Sequence, residues 1–168
     1  MLYYKKLDSF VGTITIVSTE EELLALWIDG QTGESYFDLQ QMETKEIPIL
    51  IQTENWLKRY FNKEKPSLNE LPIHLEGSLF QLEIWKLLCE IPYGKTTTYK
   101  ALALEVARRM GKEKMSAQAV GGAVGRNPIS IIIPCHRVIG KNGKMIGYNG
   151  GIFIKEKLLQ FEQDLQGL

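Results

Sequence analysis

Thiols and imidazoles are scarce in this sequence: Cys89 and Cys135 are its only cysteines, and His74 and His136 its only histidines. Two cysteines cannot build a disulfide framework, and with no export signal the default is two reduced thiols. Long apolar runs are missing too. No stretch approaches the roughly 18 uninterrupted apolar residues that span a bilayer. The opening Met1–Asp8 carries Lys5, Lys6 and Asp8 with no apolar segment behind it, so the chain is expected to be cytoplasmic. Repeats and low-complexity segments are also absent. Net charge is lacking as well, since 20 basic residues balance 20 acidic ones, which taken globally argues against a nucleic-acid binder.

The balance conceals an asymmetry. Between Ile91 and Asn149 lie ten basic residues and only two acids, Glu105 and Glu113, so this segment is +8 and the remainder −8. A basic stretch of this kind suits a phosphate-contacting surface, although a solvated face would look the same. The 168 residues suffice for one ordinary domain or two small ones.

The first part alternates apolar and polar residues in the runs Leu2–Lys6, Gly12–Ser18 and Glu22–Ile28, parted by Asp8-Ser9 and Asp29-Gly30, which predicts antiparallel β-structure. A helix is expected from about Ile49 to Phe61, followed by an irregular stretch with Pro66 and Pro72 and a domain boundary near Leu75. Beyond it the pattern turns helical. Ser78, Thr98 and Ser116 are each placed to cap a helix, the second ending near Gly111 and the third near Gly125. The last two suggest a helix-turn-helix. In the third, Ala117, Val120, Gly121 and Val124 are expected inside, with Gln118, Ala119, Gly122 and Ala123 forming an outward face almost without bulk. Then come the β-branched run Ile129–Ile133, an Asn142-Gly143 hairpin turn and a final helix Lys155–Phe161. The fold class is thus mixed α/β (α+β). An N-terminal antiparallel β domain with a helix (1–75) precedes a mostly helical, winged helix-turn-helix domain (76–168).

One site in that second domain has the composition for chemistry. Cys135 is followed directly by His136 and Arg137, and a neighbouring imidazole or cation favours a reactive thiolate. Adjacent residues of an extended chain point to opposite sides, so contact between Cys135 and His136 requires a local turn or a bridging water. By itself a Cys-His pair is weak, because most free cysteines are small buried hydrophobes. Cys89, late in an amphipathic helix, is read as such a core thiol.

The wider constellation is specific. Phe80-Gln81, Trp85, Ile91-Pro92-Tyr93-Gly94, Thr98-Tyr99, Ala119-Val120-Gly121-Gly122-Ala123, Asn127-Pro128, Ile133-Pro134-Cys135-His136-Arg137-Val138-Ile139-Gly140, Gly147-Tyr148-Asn149-Gly150-Gly151 and Lys155-Glu156 closely resemble the O6-alkylguanine-DNA alkyltransferases. The resemblance runs through Ser78–Glu162, and the first 75 residues fit that family's N-terminal β domain. It implies a DNA repair protein that moves an alkyl group from O6-alkylguanine, with O4-alkylthymine as a further candidate, onto Cys135 in a single irreversible turnover. His136 would be the base acting through a water, Glu162 the acid orienting it, Tyr99 a proton donor to the purine, and Asn127 a brace for the active-site turn. Gln118, Ala119, Gly122, Ala123, Arg126, Arg137 and Lys155 would contact DNA or the base, and Val138, Tyr148 and Asn149 would line the guanine pocket.

The expected partner is double-stranded DNA carrying the lesion, bound by a monomer, with no cofactor and no membrane. No metal is expected either, because His74 and Cys89 are the only spare soft ligands, too few for a structural zinc site. Where the family usually has an arginine opening the recognition helix, this chain has Gln118, which brings no charge to the gap left by a flipped base. Three alternatives stay open. A binding-only alkyltransferase-like protein would carry tryptophan in place of Cys135; a winged-helix regulator would present bulky base-reading side chains; a thiol hydrolase would turn over on an ester or peptide.

Overall fold

The computed structural model describes residues 1–31, 36–144 and 151–164, and divides into two compact units. The first consists of Met1–Leu75 together with Pro128–Ile132, the second of Glu76–Asn127 with Ile133–Leu168.

In the first unit, β1 (Tyr3–Leu7), β2 (Ile14–Ser18) and β3 (Leu23–Ile28) form an antiparallel meander, and the two-residue β4 (Glu43–Thr44) adds to β1 in parallel. Every residue of β2 is buried, as its central place demands. On one face Val17, Ala25 and Trp27 pack with Leu2, Tyr4, Phe37, Leu39 and Met42. Helix α1 (Pro48–Phe61) packs against the sheet and buries Ile49, Leu50, Thr53, Trp56, Leu57 and Tyr60. Pro48 stands in its first turn, where a missing N–H costs nothing.

The β-branched run departs from expectation. Residues 128–132 belong to the N-terminal unit, and only Ile129 bridges, in parallel, to Leu26 of β3. The Leu26 amide donates to the Pro128 carbonyl at 2.9 Å and the Ser130 amide to the Leu26 carbonyl at 3.0 Å. Ile131 then takes a left-handed φ of 69°, with the Ile132 amide folded back on the Ser130 carbonyl at 2.8 Å. A β-branched residue in that region cannot continue a strand, so the chain turns here.

The second unit is helical, with α2 (Leu79–Cys89), α3 (Tyr99–Arg109), α4 (Ala117–Gly125) and α5 (Ile152–Gln163). Each of the first three has the cap expected of it: Ser78 accepts from the Gln81 amide, Thr98 from Ala101 and Ser116 from Ala119. Gln81 completes a capping box with Ser78. α4 packs on both α2 and α3. Its phase differs from the sequence reading, for Ala117 is exposed and Ala123 buried, because Val120, Ala123 and Val124 share the inward stripe. The connection between α3 and α4 spans residues 110–116 and turns at Gly111, where φ is 67°. Two short strands, β5 (Thr97–Thr98) and β6 (Val138–Ile139), pair in parallel. Asn142 and Gly143 take the consecutive positive φ values of a tight turn, 59° and 77°. The final helix is longer at both ends than its periodicity suggests, which brings Glu162 inside it.

Trp85 ties α2 to the end of α4. Its indole N–H donates to the Ala123 carbonyl at 2.9 Å, and a Cβ on Gly77 would come within 2.9 Å of its ring. Trp85→Phe should therefore cost about 1–3 kcal/mol, the usual penalty for stranding a buried carbonyl. A lower urea midpoint at unchanged slope is the expected result.

Candidate active site

The site begins as a backbone problem, since a thiol and an imidazole on neighbouring residues must act together. Pro134 fixes the approach, and the Cys135 amide folds back on the Ile133 carbonyl at 2.8 Å. The Asn127 side-chain amide donates to the same carbonyl, also at 2.8 Å, so one oxygen anchors the turn from two directions. Cys135–Arg137 then form one turn of 3₁₀-helix, closed by the Arg137 amide on the Pro134 carbonyl at 3.0 Å. This turn replaces the extended chain that would have sent Cys135 and His136 to opposite faces. All three residues are buried.

His136 and Glu162 are completely buried, with Nε2 and Oε2 2.6 Å apart. Arg137 grips the same carboxylate with both arms, Nε to Oε1 at 2.8 Å and Nη2 to Oε2 at 3.0 Å. Its Nη1 donates to the Ile91 carbonyl at 2.7 Å. The Gly94 amide adds a donor to Oε1 at 3.2 Å from a residue with φ 77°. Burial alone would raise the Glu162 pKa, but the hydrogen bonds from His136 and Arg137 and the charge of the Arg137 guanidinium outweigh it and hold the carboxyl well below the usual range. An ionised carboxylate only accepts, so Nε2 carries the ring hydrogen. Nδ1 is buried with no hydrogen-bond partner among the described residues. Burial also lowers the His136 pKa, against the opposing pull of Glu162, so the ring is neutral and Nδ1 can accept a proton.

Close enough to Cys135 to feel its charge are Tyr99, the first residue of α3, and Lys155 of α5. Both are buried, with the Lys155 ammonium 3.4 Å from the Tyr99 hydroxyl. Burial, with the nearby Cys135 charge, pushes the Tyr99 phenol up to about 12, so it keeps its proton. Burial brings Lys155 down to about 8, against the pull of Cys135. Cys89 has no such company, and burial assisted by Glu90 drives its thiol up to about 11, which makes it inert at neutral pH.

The structure brings together Cys135, His136, Glu162, Asn127, Tyr99 and the buried Val138. Three residues expected at DNA or the base are buried in the structure. Arg137 is turned inward because Glu162 needs compensation, Lys155 is buried beside Tyr99, and Ala123 packs inside α4. Gln118, Ala119 and Gly122 of α4 and Arg126 at its C-cap are exposed. A Cβ on Gly122 would meet nothing, so internal packing does not explain the glycine. Arg108 and Arg109, both in the basic segment, are engaged by Glu105 and Glu90, whereas Lys112 and Lys114 are exposed without a partner among the described residues. Tyr148 and Asn149 lie outside the described residues. The roles of the Ile91 carbonyl and the Gly94 amide were not read from the sequence; the Pro92-Tyr93-Gly94 turn was the available signal. Among the described residues no helix is long and apolar enough to cross a membrane.

A cysteine joined by sequence to a buried His–Glu pair, on a unit of capped helices with a bare-faced fourth helix, defines a thiol nucleophile protein with a helical surface open to a partner. The comparisons narrow that class. Residues 79–164 match the DNA binding domain of 6-O-methylguanine DNA methyltransferase, and residues 2–75 match its ribonuclease-like domain. The methylated-DNA–protein-cysteine methyltransferase of Haemophilus influenzae is 39% identical over 96% of this chain and 87% of its own. The inducible one of Bacillus subtilis is 45% identical over 80% of this chain and 76% of its own. The crystal structure of the Mycobacterium tuberculosis O6-methylguanine methyltransferase superposes with a TM-score of 0.79 at 35% identity, covering 98% of this chain and 94% of that one. A further structure of the Mycobacterium tuberculosis protein, in complex with DNA, gives the same TM-score at 36% identity over 96% and 93% of the two chains. This chain belongs to the 6-O-methylguanine DNA methyltransferase family.

The buried site makes stability depend on pH. His136 has a lowered folded pKa against 6.5 for a free imidazole, so its contribution is full above that value and declines as pH falls below it. Glu162, depressed from 4.5, adds a second loss at more acid pH. Urea unfolding should show stability falling from about pH 7.5 to about pH 5.5, and a flatter dependence in His136→Gln. At neutral pH Glu162→Gln should cost about 3–5 kcal/mol, because it strands Arg137 in the interior.

Proposed function

We propose that this protein repairs O6-alkylguanine in double-stranded DNA by moving the alkyl group to Cys135, once per molecule. The observation that supports it most is a completely buried His136, its Nε2 committed to Glu162, directly following a buried cysteine in a chain of this family. The Cys135 proton passes by way of a bridging water to Nδ1, leaving a thiolate beside an imidazolium that Glu162 orients and stabilises. The Sγ atom attacks the alkyl carbon, the carbon–O6 bond breaks, and its electron pair goes to the purine. Tyr99 supplies the proton or hydrogen bond that makes guanine a good leaving group, with Lys155 beside its hydroxyl. The product is a thioether, which has no carbonyl for water to attack, so turnover ends there.

On this reading Asn127 braces the turn, while Val138, Tyr148 and Asn149 border the guanine. The exposed, small-residue face of α4 allows close approach to the minor groove, with Gln118, Ala119, Gly122 and Arg126 at the surface and Lys112 and Lys114 available to phosphates. The lesion is taken out of the stack. The N-terminal domain serves as scaffold and the C-terminal one binds DNA and accepts the alkyl group. The protein acts as a monomer in the reducing cytoplasm, without a cofactor, and O4-alkylthymine is a second candidate substrate.

Intact-mass spectrometry after incubation with a duplex containing O6-methylguanine tests this. One methylene mass per molecule should appear, persist in Cys89→Ser and vanish in Cys135→Ser. Binding without mass gain would instead favour the lesion-binding relative. Tyr99→Phe should slow single-turnover transfer by roughly 100-fold, at the low end of what a positioned proton donor contributes.

A further inference from the structure

We infer that Arg137 is a positioning residue that keeps the base available: by holding both oxygens of Glu162 it leaves that carboxylate ionised without requiring His136 to be the cation. The inference rests on the reading of Cys135 as alkyl acceptor and His136 as its base. A completely buried carboxylate demands a positive partner, and two side chains are placed to be one, His136 at 2.6 Å and Arg137 at 2.8 and 3.0 Å. If His136 supplied the charge it would be an imidazolium in the resting protein, and an imidazolium cannot take the Cys135 proton. The guanidinium supplies it permanently, since arginine does not deprotonate in proteins.

The geometry suits that duty. Three N–H groups of Arg137 go to Glu162 and to the Ile91 carbonyl, and its guanidinium lies 5.6 Å from the centre of the Tyr93 ring. Among the described residues, the charged and titratable groups around His136 come from the elements packed against it. Glu162 and Lys155 come from α5, Cys135 and Arg137 from its own turn, and Tyr93 from the 91–94 turn through Glu162 and Arg137. Glu162 favours the imidazolium, while Arg137 and Lys155 disfavour it. Removing Arg137 takes away one opposing charge and leaves Glu162 without its permanent counterion. Both changes raise the His136 pKa.

A base works only when neutral, so the rate of alkyl transfer falls as pH drops below its pKa, and raising that pKa moves the acid limb of the profile to higher pH. The experiment is single-turnover transfer from a duplex containing O6-methylguanine, with protein in saturating excess, measured between about pH 5 and pH 9. In Arg137→Met the limb should rise by about one pH unit or more, which is a loss approaching tenfold on the acid side of both limbs that narrows through neutral toward alkaline pH. Arg137→Lys keeps the charge and should keep the limb near the wild-type position. The double variant Arg137→Met, Glu162→Gln removes the negative charge together with its counterion, and its limb should return to or below the wild-type position.

A loss in Arg137→Met that is uniform across pH would overturn the inference, as would a limb displaced equally in the single and double variants. Should Arg137→Met fail to fold, the other two profiles decide: the inference requires neither limb to rise, and a rise in either refutes it. Wild-type protein that transfers no alkyl group would refute the underlying reading instead.

Discussion

The buried carboxylate of Glu162 is the interaction on which the rest of this site depends. It gathers donors from two separate segments, the His136 ring and Arg137 guanidinium of the nucleophile turn and the Gly94 amide after α2, onto one residue of α5. Such an arrangement is not chosen for raw stability, because an apolar cluster of equal volume would hold the fold at least as well. What it provides is a charge of fixed sign and position in the interior. Nothing else among the described contacts of His136 would fix its tautomer and turn Nδ1 outward from the pair.

From that constraint the division of labour between the two thiols follows. Cys89 is half-buried next to an acid, and burial with that neighbour suppresses its ionisation. Cys135 sits in a tight turn flanked by an imidazole ready to accept a proton, with a phenol that keeps its own and a lysine weakened by burial. On the proposed mechanism, nucleophile, base and acid are thereby separated in proton affinity by environment, and not by residue type alone. The product thioether explains why a protein with such a site needs no resolving group.

Much of this was legible in the residues. Ser78, Thr98 and Ser116 each marked a helix start, because a short polar side chain before an apolar stripe has one economical use. The Pro134–Val138 motif marked the nucleophile. What escaped the sequence was direction. Arg137 and Lys155 are basic residues in a basic segment and read as DNA contacts, yet both face inward, since the demand of a buried carboxylate and the neighbourhood of Tyr99 are tertiary facts. The Ile129–Ile133 run has strand propensity, but strand needs a partner along its length, and one bridge to Leu26 with a left-handed Ile131 gives a turn. The phase of α4 slipped for a similar reason: alanine and glycine carry so little hydrophobic contrast that Ala117 and Ala123 could exchange faces on paper.

The most direct test of the account is the protonation state of one ring. With only two histidines in the chain, of which His74 is exposed, long-range ¹H–¹⁵N correlation spectra can assign His136 without ambiguity. The account predicts a neutral imidazole at pH about 7, hydrogen on Nε2 and none on Nδ1. A doubly protonated ring at that pH, or hydrogen on Nδ1 alone, would mean that His136 is not the base that readies Cys135.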